Sequence, residues 1–496
     1  MKKQIQKIIG LLTVSSLLFM SCETVDFGDE NLNPNAVSKA NTGALITASL
    51  RSMPGILANS SAGILYVQHI SEITYNDDSC YETIQWNFDD HYTGPLMNLQ
   101  TVINLNTDDP NTYNSSGSAG MQKGVSHLLQ VWFYHHLTDR WGAVPYSEAL
   151  QGVDNLKPKF DSQQAIYTGM FAQIDAALAM LDGGGLKGDF MFNGDAAKWK
   201  KFGNTMKMVM ALRLSDVDPA TAQSKFLEAV SGGVLGSNAD NIHYPYTTAD
   251  NNDNPWQDRF QTRDDYASSD TMVEALIAKS DPRLHAYAAP VVTAGGGAGG
   301  SAKVPVKYTT VDGKIYGGMP YGVLTPGILQ AWVSYLPHQV IYKSDATQSG
   351  MIFSYAQVCF SMAEAASKGW GVSGTAKAWY DAGIAASMSQ WGVSAADSAT
   401  YVAAAAAAPA IGDIAYEKWV ALYLQGYEAW AEWRRLDAPS LVVATDILNG
   451  TAIPVRHGYG ARTASANKAN HDAAVAAMGK SPGDFLQDVK VWWDTK

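Results

Sequence analysis

Residues 125–149 read VSHLLQVWFYHHLTDRWGAVPYSEA, and their pattern decides the class of fold. Val125, Leu128, Leu129, Trp132, Phe133 and His136 recur at steps of three and four, so one face of a helix carries them all. The spacing predicts a helix ending near Asp139, with Gly142 and Pro145 to stop it. The same period returns along the chain. Asp161 and Gln164 form a capping-box pair ahead of Ile166, Met170, Ile174, Leu178 and Leu181, and Gly183 to Gly185 close that second helix. Trp199, Phe202, Met206, Val209 and Met210 make a third stripe. Phe353, Gln357, Phe360 and Glu364 make a fourth, and Ala376 to about Gln390 a fifth. A last helix carries Ile414, Trp419, Leu422, Tyr423, Gly426, Trp430 and Trp433, with Gly426 small enough to admit a close neighbour. Helix pairs thus dominate two stretches, roughly 121–214 and 350–436, and Trp132, Trp199, Trp419, Trp430 and Trp433 read as core.

Between and before these halves the period fades. Residues 72–118 and 238–348 read as loop-rich insertions, the second crowded with Asn, Asp, Tyr, Pro and Gly, with a glycine-rich stretch from Ala294 to Ala302 and β-like runs such as Val304 to Thr310. Loops of this length are uncommon in a compact domain unless they bind something. They carry three aromatic clusters. The first holds Tyr75, Asn76, Asp77, Asp78, Tyr81, Trp86 and Tyr92; the second Tyr244, Tyr246, Trp256, Gln257, Arg259, Arg263 and Tyr266; the third Tyr316, Tyr321, Trp332 and Tyr335. Flat rings for sugar faces beside amides and charges for hydroxyls suit a glycan. The candidate ligand-binding residues are Tyr75, Tyr81, Trp86, Tyr92, Trp256, Arg259, Tyr266, Tyr316, Tyr321 and Trp332.

The start of the chain has its own logic. Lys2, Lys3 and Lys7 precede an apolar run from Ile8 to Met20, then Ser21 and Cys22, the order of a secretory signal. That run is shorter than the roughly 20 residues a helix needs to cross a bilayer, so cleavage is expected. Leu18 to Cys22 is similar to a bacterial lipobox, with Phe19 where Leu is usual. The reading is a signal peptide over 1–21, a lipid on Cys22, a polar turn-rich tether over 22–40 and a folded domain over 41–496. The formal charge is −12, and losing the three leader lysines takes it from −12 to −15. Such a balance argues against nucleic acid and against adhesion to anionic lipid, leaving the lipid anchor as the membrane contact. Cys80 and Cys359 permit one disulfide without establishing it.

Catalytic and metal motifs are missing. No His-Glu-x-x-His, Gly-x-Ser-x-Gly or phosphate-binding glycine loop occurs. Asp250, Asn252, Asp253 and Asn254 invite calcium, yet Pro255 stands where an EF-hand needs Gly, and Gln261 where it needs Glu. His135 and His136 are adjacent and point to different helix faces. Arg434 and Arg435 follow Glu428 and Glu432 at spacings for ion pairs within one helix. The expectation is a non-enzyme without cofactor or metal.

Four motifs then carry a resemblance. They are Asn31-Leu32-Asn33-Pro34-Asn35; Gly142-Ala143-Val144-Pro145-Tyr146-Ser147-Glu148-Ala149; Asp281-Pro282-Arg283-Leu284; and Glu428-Ala429-Trp430-Ala431-Glu432-Trp433-Arg434-Arg435. In this order they resemble the SusD/RagB family of surface nutrient-binding lipoproteins, in its SusD-like branch. Ile453-Pro454-Val455-Arg456 matches a further family segment in part. The resemblance implies a mainly α fold, with tetratricopeptide-like hairpins in a right-handed superhelical scaffold, an irregular binding face and few short strands. It implies a cell-surface, outer-membrane protein that delivers oligosaccharide to a SusC-like TonB-dependent transporter. The rival readings are the same role for peptides, a protein-only helical-repeat adaptor and a helical glycosidase.

Overall fold

Nine of the described helices of the computed structural model begin on a side chain that accepts a bond from their own first turn, and these caps fix where the hairpins start. Residues 39–57, 61–294, 303–337 and 345–496 are described; Cys22, the lipobox, the Asn31–Asn35 motif and most of the tether and of the glycine-rich stretch lie outside them. One compact unit runs Thr42–Lys496. Its first helices are α1 (Thr42–Leu50), α2 (Ala62–Tyr66), α3 (Met97–Asp108) and α4 (Ala119–Trp141). Ser118 caps α4 by accepting from the Met121 amide at 3.1 Å, and Gly142 ends it with φ 72°. α5 (Gln163–Met180) packs against α4. Its cap is Ser162, one residue after the expected Asp161; the Asp161 carboxylate instead accepts from the Tyr146 and Ser147 amides at 3.1 and 2.7 Å. α6 (Ala196–Arg213) and α7 (Pro219–Gly232) form the next pair, capped by Asp195 and Asp218, and Trp199, Phe202, Met206, Val209 and Met210 are all buried on α6.

The second half repeats the plan. α8 (Pro255–Arg259) and α9 (Asp270–Ala278) lead into α10 (Tyr355–Ser367), which pairs with α11 (Ala376–Gln390). Phe353 falls in a strand, because Ser354 caps α10 and starts it two residues later. After α12 (Ala395–Ala404) the stripe expected as one helix from Ile414 to Trp433 is two, α13 (Ile411–Ala421) and α14 (Gly426–Leu436). Leu424, with φ 65°, breaks it. α15 (Ala461–Ala466) and α16 (Lys468–Ala477) close the chain. Among the described residues no helix is long and apolar enough to cross a membrane.

The strands are short. β1 (Ile70–Glu72), β2 (Val144–Pro145), β3 (Phe160–Asp161), β4 (Ile242–Tyr244), β5 (Tyr266–Ser268), β6 (Thr309–Val311), β7 (Lys314–Tyr316) and β8 (Gly350–Phe353) pair antiparallel as β1–β5, β2–β3, β4–β8 and β6–β7. The insertions are therefore less irregular than their composition suggests: 72–118 contains α3, and 238–348 contains α8, α9 and four strands entirely within it. Cys80 and Cys359 are free, buried thiols, and burial pushes them up to about 12 and about 11.

Two features of α14 matter below. Its N-terminal Gly426 meets Gly63 of α2 backbone to backbone; a Cβ on Gly426 would lie 2.3 Å from the Ile64 side chain and 2.4 Å from its amide nitrogen. The close neighbour expected at Gly426 is thus α2. Along the rest of α14, Glu428, Glu432 and Arg435 enter a buried ion network. Arg213 bonds Asp139, Glu428 and Glu432. Arg435 grips Glu364 through two 2.6 Å bonds, and Lys418 reaches Glu432 at 2.6 Å. Burial pushes the Glu432 carboxyl up, but Arg435, Lys418 and Arg213 hold it well below the usual carboxylate range. The partners of Glu428 and Glu432 lie mostly on other helices, so the pairing is less intrahelical than spacing alone suggests. Arg434 bonds the Asp139 and Val455 carbonyls at 2.8 and 2.9 Å and stacks on Trp430 at 3.8 Å.

Candidate ligand-binding cavity

The break between α13 and α14 opens onto a cavity of about 350 Å³. Its walls come from six separate stretches. Tyr423, Leu424 and Gln425 supply one wall, and Gln390, Trp391 and Gly392 at the end of α11 supply another. The β4–β8 ladder and its flanks bring His243, Tyr246, Gln348, Ser349, Gly350 and Met351; Gly350 leaves room for the Tyr246 ring, which a Cβ would approach to 3.2 Å. Asn254 and Trp256 enter from α8, and Leu57 from the first helices.

Each wall has a local cause. Asn254 accepts from the Trp256 amide at 2.8 Å, caps α8 and donates to the Gln348 carbonyl at 2.6 Å. Pro255, which spoiled the calcium pattern, sits at the first position of that helix, where a missing N–H costs nothing. The loop's other amide, Asn252, accepts from the Tyr244 hydroxyl. Among the described residues no group of three or more His, Cys, Asp or Glu gathers as metal ligands.

The Asp281-Pro282-Arg283-Leu284 turn supports the aromatic wall. Arg283 is fully buried, bonds Asp281 and Glu417, and donates to the Ser387 hydroxyl of α11 at 3.0 Å. The turn delivers Tyr287, whose ring stacks on Tyr423 at 4.0 Å and meets Trp391 edge-on at 5.0 Å. Opposite, His69 accepts from the Leu424 amide at 3.3 Å through Nδ1, while Nε2 lies 3.1 Å from the Trp419 carbonyl and donates to it. Burial pulls this imidazole down to about 3, so it stays neutral. It thereby holds a left-handed non-glycine backbone that costs roughly 1–2 kcal/mol.

Aromatic rings, amides and apolar side chains line the cavity, and no Asp, Glu, Lys or Arg does so among the described residues. Burial lowers the His243 pKa, which also favours a neutral ring. Several wall groups are unpaired. The Gln425 Oε1 and Nε2, the Trp391 Nε1 and the Tyr246 hydroxyl are buried and have no protein hydrogen-bond partner among the described residues. Each such group costs about 1–3 kcal/mol when left unmet. Strain and unmet polar groups at one place mark a site kept for something other than stability.

A second recess of about 290 Å³ lies beyond α8, lined by Asp258, Arg259, Phe260, Thr262, Arg263, Asp265 and Tyr266. The β1–β5 ladder sets Glu72 opposite Tyr266 and so brings the first aromatic cluster beside the second. Arg259 stacks on Trp256 at 4.6 Å, and Arg263 on the exposed Tyr75 at 4.8 Å while pairing with Asp265 at 2.7 Å.

The structure therefore gathers Tyr75, Trp256, Arg259 and Tyr266 and disperses the rest. Tyr81, Tyr316 and Tyr321 are buried. Tyr81 accepts from the Ala444 amide, and Tyr316 bonds His285 at 2.7 Å. Trp86 stacks on His457 at 4.6 Å, and Tyr92 donates to the Pro145 carbonyl at 2.6 Å. Trp332 packs in a 3-10 turn against a small separate core beside Val333. Sequence reasoning missed Gln390, Trp391, Tyr423, Leu424 and Gln425, which lie on or between helical stripes. The one available signal was the Trp391-Gly392 pair ending α11.

The family model described as starch-binding and associating with the outer membrane, the second SusD-like model, matches residues 34–460. The chain belongs to this SusD-like family. A solved chitin-binding protein is 27% identical, with a TM-score of 0.76 over 92% of this chain and 100% of its own. A chitin-binding SusD homologue from Flavobacterium johnsoniae is 22% identical, with a TM-score of 0.72 over 92% and 98%. A SusD homologue from Bacteroides fragilis is 21% identical, with a TM-score of 0.76 over 92% and 100%. The last two share the fold. No curated protein matches the chain. The mainly helical SusD-like architecture anticipated from the motifs is the one observed.

Proposed function

We propose that this SusD-like protein is a lipoprotein anchored through Cys22 at the outer surface of the outer membrane, where it captures an uncharged oligosaccharide and passes it to a SusC-like TonB-dependent transporter. The cavity at the α13–α14 break carries the reading. Trp256, Trp391 and Tyr246 offer faces and edges for the C–H faces of sugar rings, and Gln348 and Gln390 offer amides for hydroxyls. A volume of about 350 Å³ suits a ring or two of an oligosaccharide. The uncharged wall favours neutral sugars over uronates. It also favours binding over turnover, since glycoside hydrolysis needs two carboxylates flanking the scissile bond. The 27% identical chitin-binding protein supports a structural polysaccharide among the ligands to try.

The test is retardation of the mature protein in native gels containing neutral polysaccharides, starch and soluble chitin derivatives included. Wild-type protein is expected to slow in at least one, and Trp256→Ala to bind that glycan at least tenfold more weakly at a temperature where circular dichroism shows it still folded, its melting temperature being lowered by loss of a buried ring. Identical migration in all of them, or full binding by Trp256→Ala, overturns the reading. Fractionation tests the anchor: Cys22→Ala is expected in the soluble fraction, and its retention on membranes would defeat the lipid assignment.

A further inference from the structure

We infer that His243 is the residue through which this cavity recognises a sugar hydroxyl, and that its pairing with Ser349 lets it meet that hydroxyl as donor or as acceptor. The inference rests on the glycan reading and adds the recognising group to it. Strand alternation turns Ile242 and Tyr244 into the core and leaves His243 on the other face of β4, half-buried in the cavity lining. The register of the β4–β8 ladder shifts between Ile242 and His243, so the strand is bent at this residue. The ring makes one hydrogen bond, with the Ser349 hydroxyl 3.1 Å from its Nδ1, and Ser349 lines the same cavity. Its Nε2 has no protein partner among the described residues. Unlike the unpaired nitrogens of Gln425 and Trp391, it is not sealed away from solvent. The lining thus presents one imidazole nitrogen that is both unpaired and within reach.

A serine hydroxyl carries one proton and two lone pairs, and a neutral imidazole one N–H and one bare nitrogen. The pair therefore has two arrangements with the same number of bonds. Either Ser349 donates to Nδ1 and the Nε2–H donates to the ligand, or the Nδ1–H donates to Ser349 and a bare Nε2 accepts. A sugar hydroxyl, itself donor and acceptor, is matched by both. Full reversibility requires a neutral ring. Burial is the only cause that moves the His243 pKa, and it moves it down. Of the facing stretches, 348–351, 254–256 and 390–392 bring no titratable group to the lining, and Tyr246 and Tyr423 are phenols that burial raises. A sugar seated against the ring covers it further and lowers the pKa again, and a proton there would be a charge in a wall with no counter-ion. Affinity is therefore full above pH 6.5 and declines as pH falls through the lowered value of the free ring, because the empty cavity takes up the proton first.

The deciding experiment is migration of the mature protein in native gels at pH 8, 7, 6, 5 and 4, containing soluble starch, glycol chitin or any other neutral polysaccharide that slows wild type. Dissociation constants come from the dependence on polysaccharide concentration, and circular dichroism checks the fold at each pH. Wild type is expected to bind equally at pH 8 and 7 and then more weakly, by up to about tenfold per unit as the ring protonates. His243→Phe keeps a ring and removes the nitrogens, and is expected to bind about fivefold more weakly at pH 7, with a flat profile below it. His243→Gln returns a group that donates and accepts, and should bind within about threefold of wild type at pH 7, again with a flat profile. Full binding by His243→Phe, equal weakening of the two variants, or an acid decline that persists in both overturns the inference and leaves the glycan reading standing. Failure of every neutral polysaccharide to slow wild type overturns both.

Discussion

The two ends of α14 treat buried polar groups in opposite ways. Toward its C-terminus Glu432 and Arg435 are met by Arg213, Lys418 and Glu364. At its N-terminus the Gln425 side chain is nearly as buried and meets no protein partner among the described residues. One helix therefore serves both as scaffold and as site wall, and the state of its polar groups tells which end is which. Where the chain needs rigidity, charge is cancelled within hydrogen-bond distance.

The largest expected effect comes from breaking the paired end. Glu432→Ala leaves Arg213, Lys418 and Arg435 short of a carboxylate in a dry interior, which should cost about 3–5 kcal/mol in denaturant unfolding. The unpaired end should respond in the opposite way. Gln425→Leu removes buried polar atoms that make no bond to the protein, so it should stabilise the fold, by about 1–3 kcal/mol. A loss near that of Glu432→Ala would erase the distinction between the two ends.

A pH-dependent effect sharpens the junction between them. His69 has its pKa lowered to about 3 against an ordinary value of 6.5, so folding favours the neutral ring. The contribution is present above pH 6.5 and is lost as pH falls through that window toward 3, since the unfolded chain takes up the proton first. His69→Phe should make the acid decline of stability shallower by at most about 1.4 kcal/mol per pH unit. Denaturant melts at pH 7, 6, 5 and 4 measure it, and an unchanged slope would show that His69 is not held neutral.

Much of the scaffold was legible before the structure, for a physical reason. Stripes such as Trp199 to Met210 register burial on one face of a helix, and that is a local property of sequence. The break at Leu424 was not, because Leu422, Tyr423 and Gly426 keep the helical period and nothing in a leucine announces a left-handed backbone; His69, some 350 residues away, imposes it. The same distance hides the site. Trp256 was legible as a loop aromatic, whereas Tyr423 and Trp391 look like core until Tyr287 is seen to prop them at the cavity edge. Tyr81 and Tyr321 erred in the other direction, since a tyrosine in a polar stretch carries no mark of the strands and loops that will cover it.

The β4–β8 ladder joins residues 242–244 to 350–353 and so closes a loop of about a hundred residues. Helix hairpins form from neighbours in sequence, but this ladder forms only after a search in which ordering comes before reward. Because His243, Gly350 and Met351 on that ladder line the same cavity as Gln425 and Trp391, the binding wall is complete only once the ladder has closed. A half-folded chain would hold good helices and no receptor, so competence to bind arrives together with the completed fold.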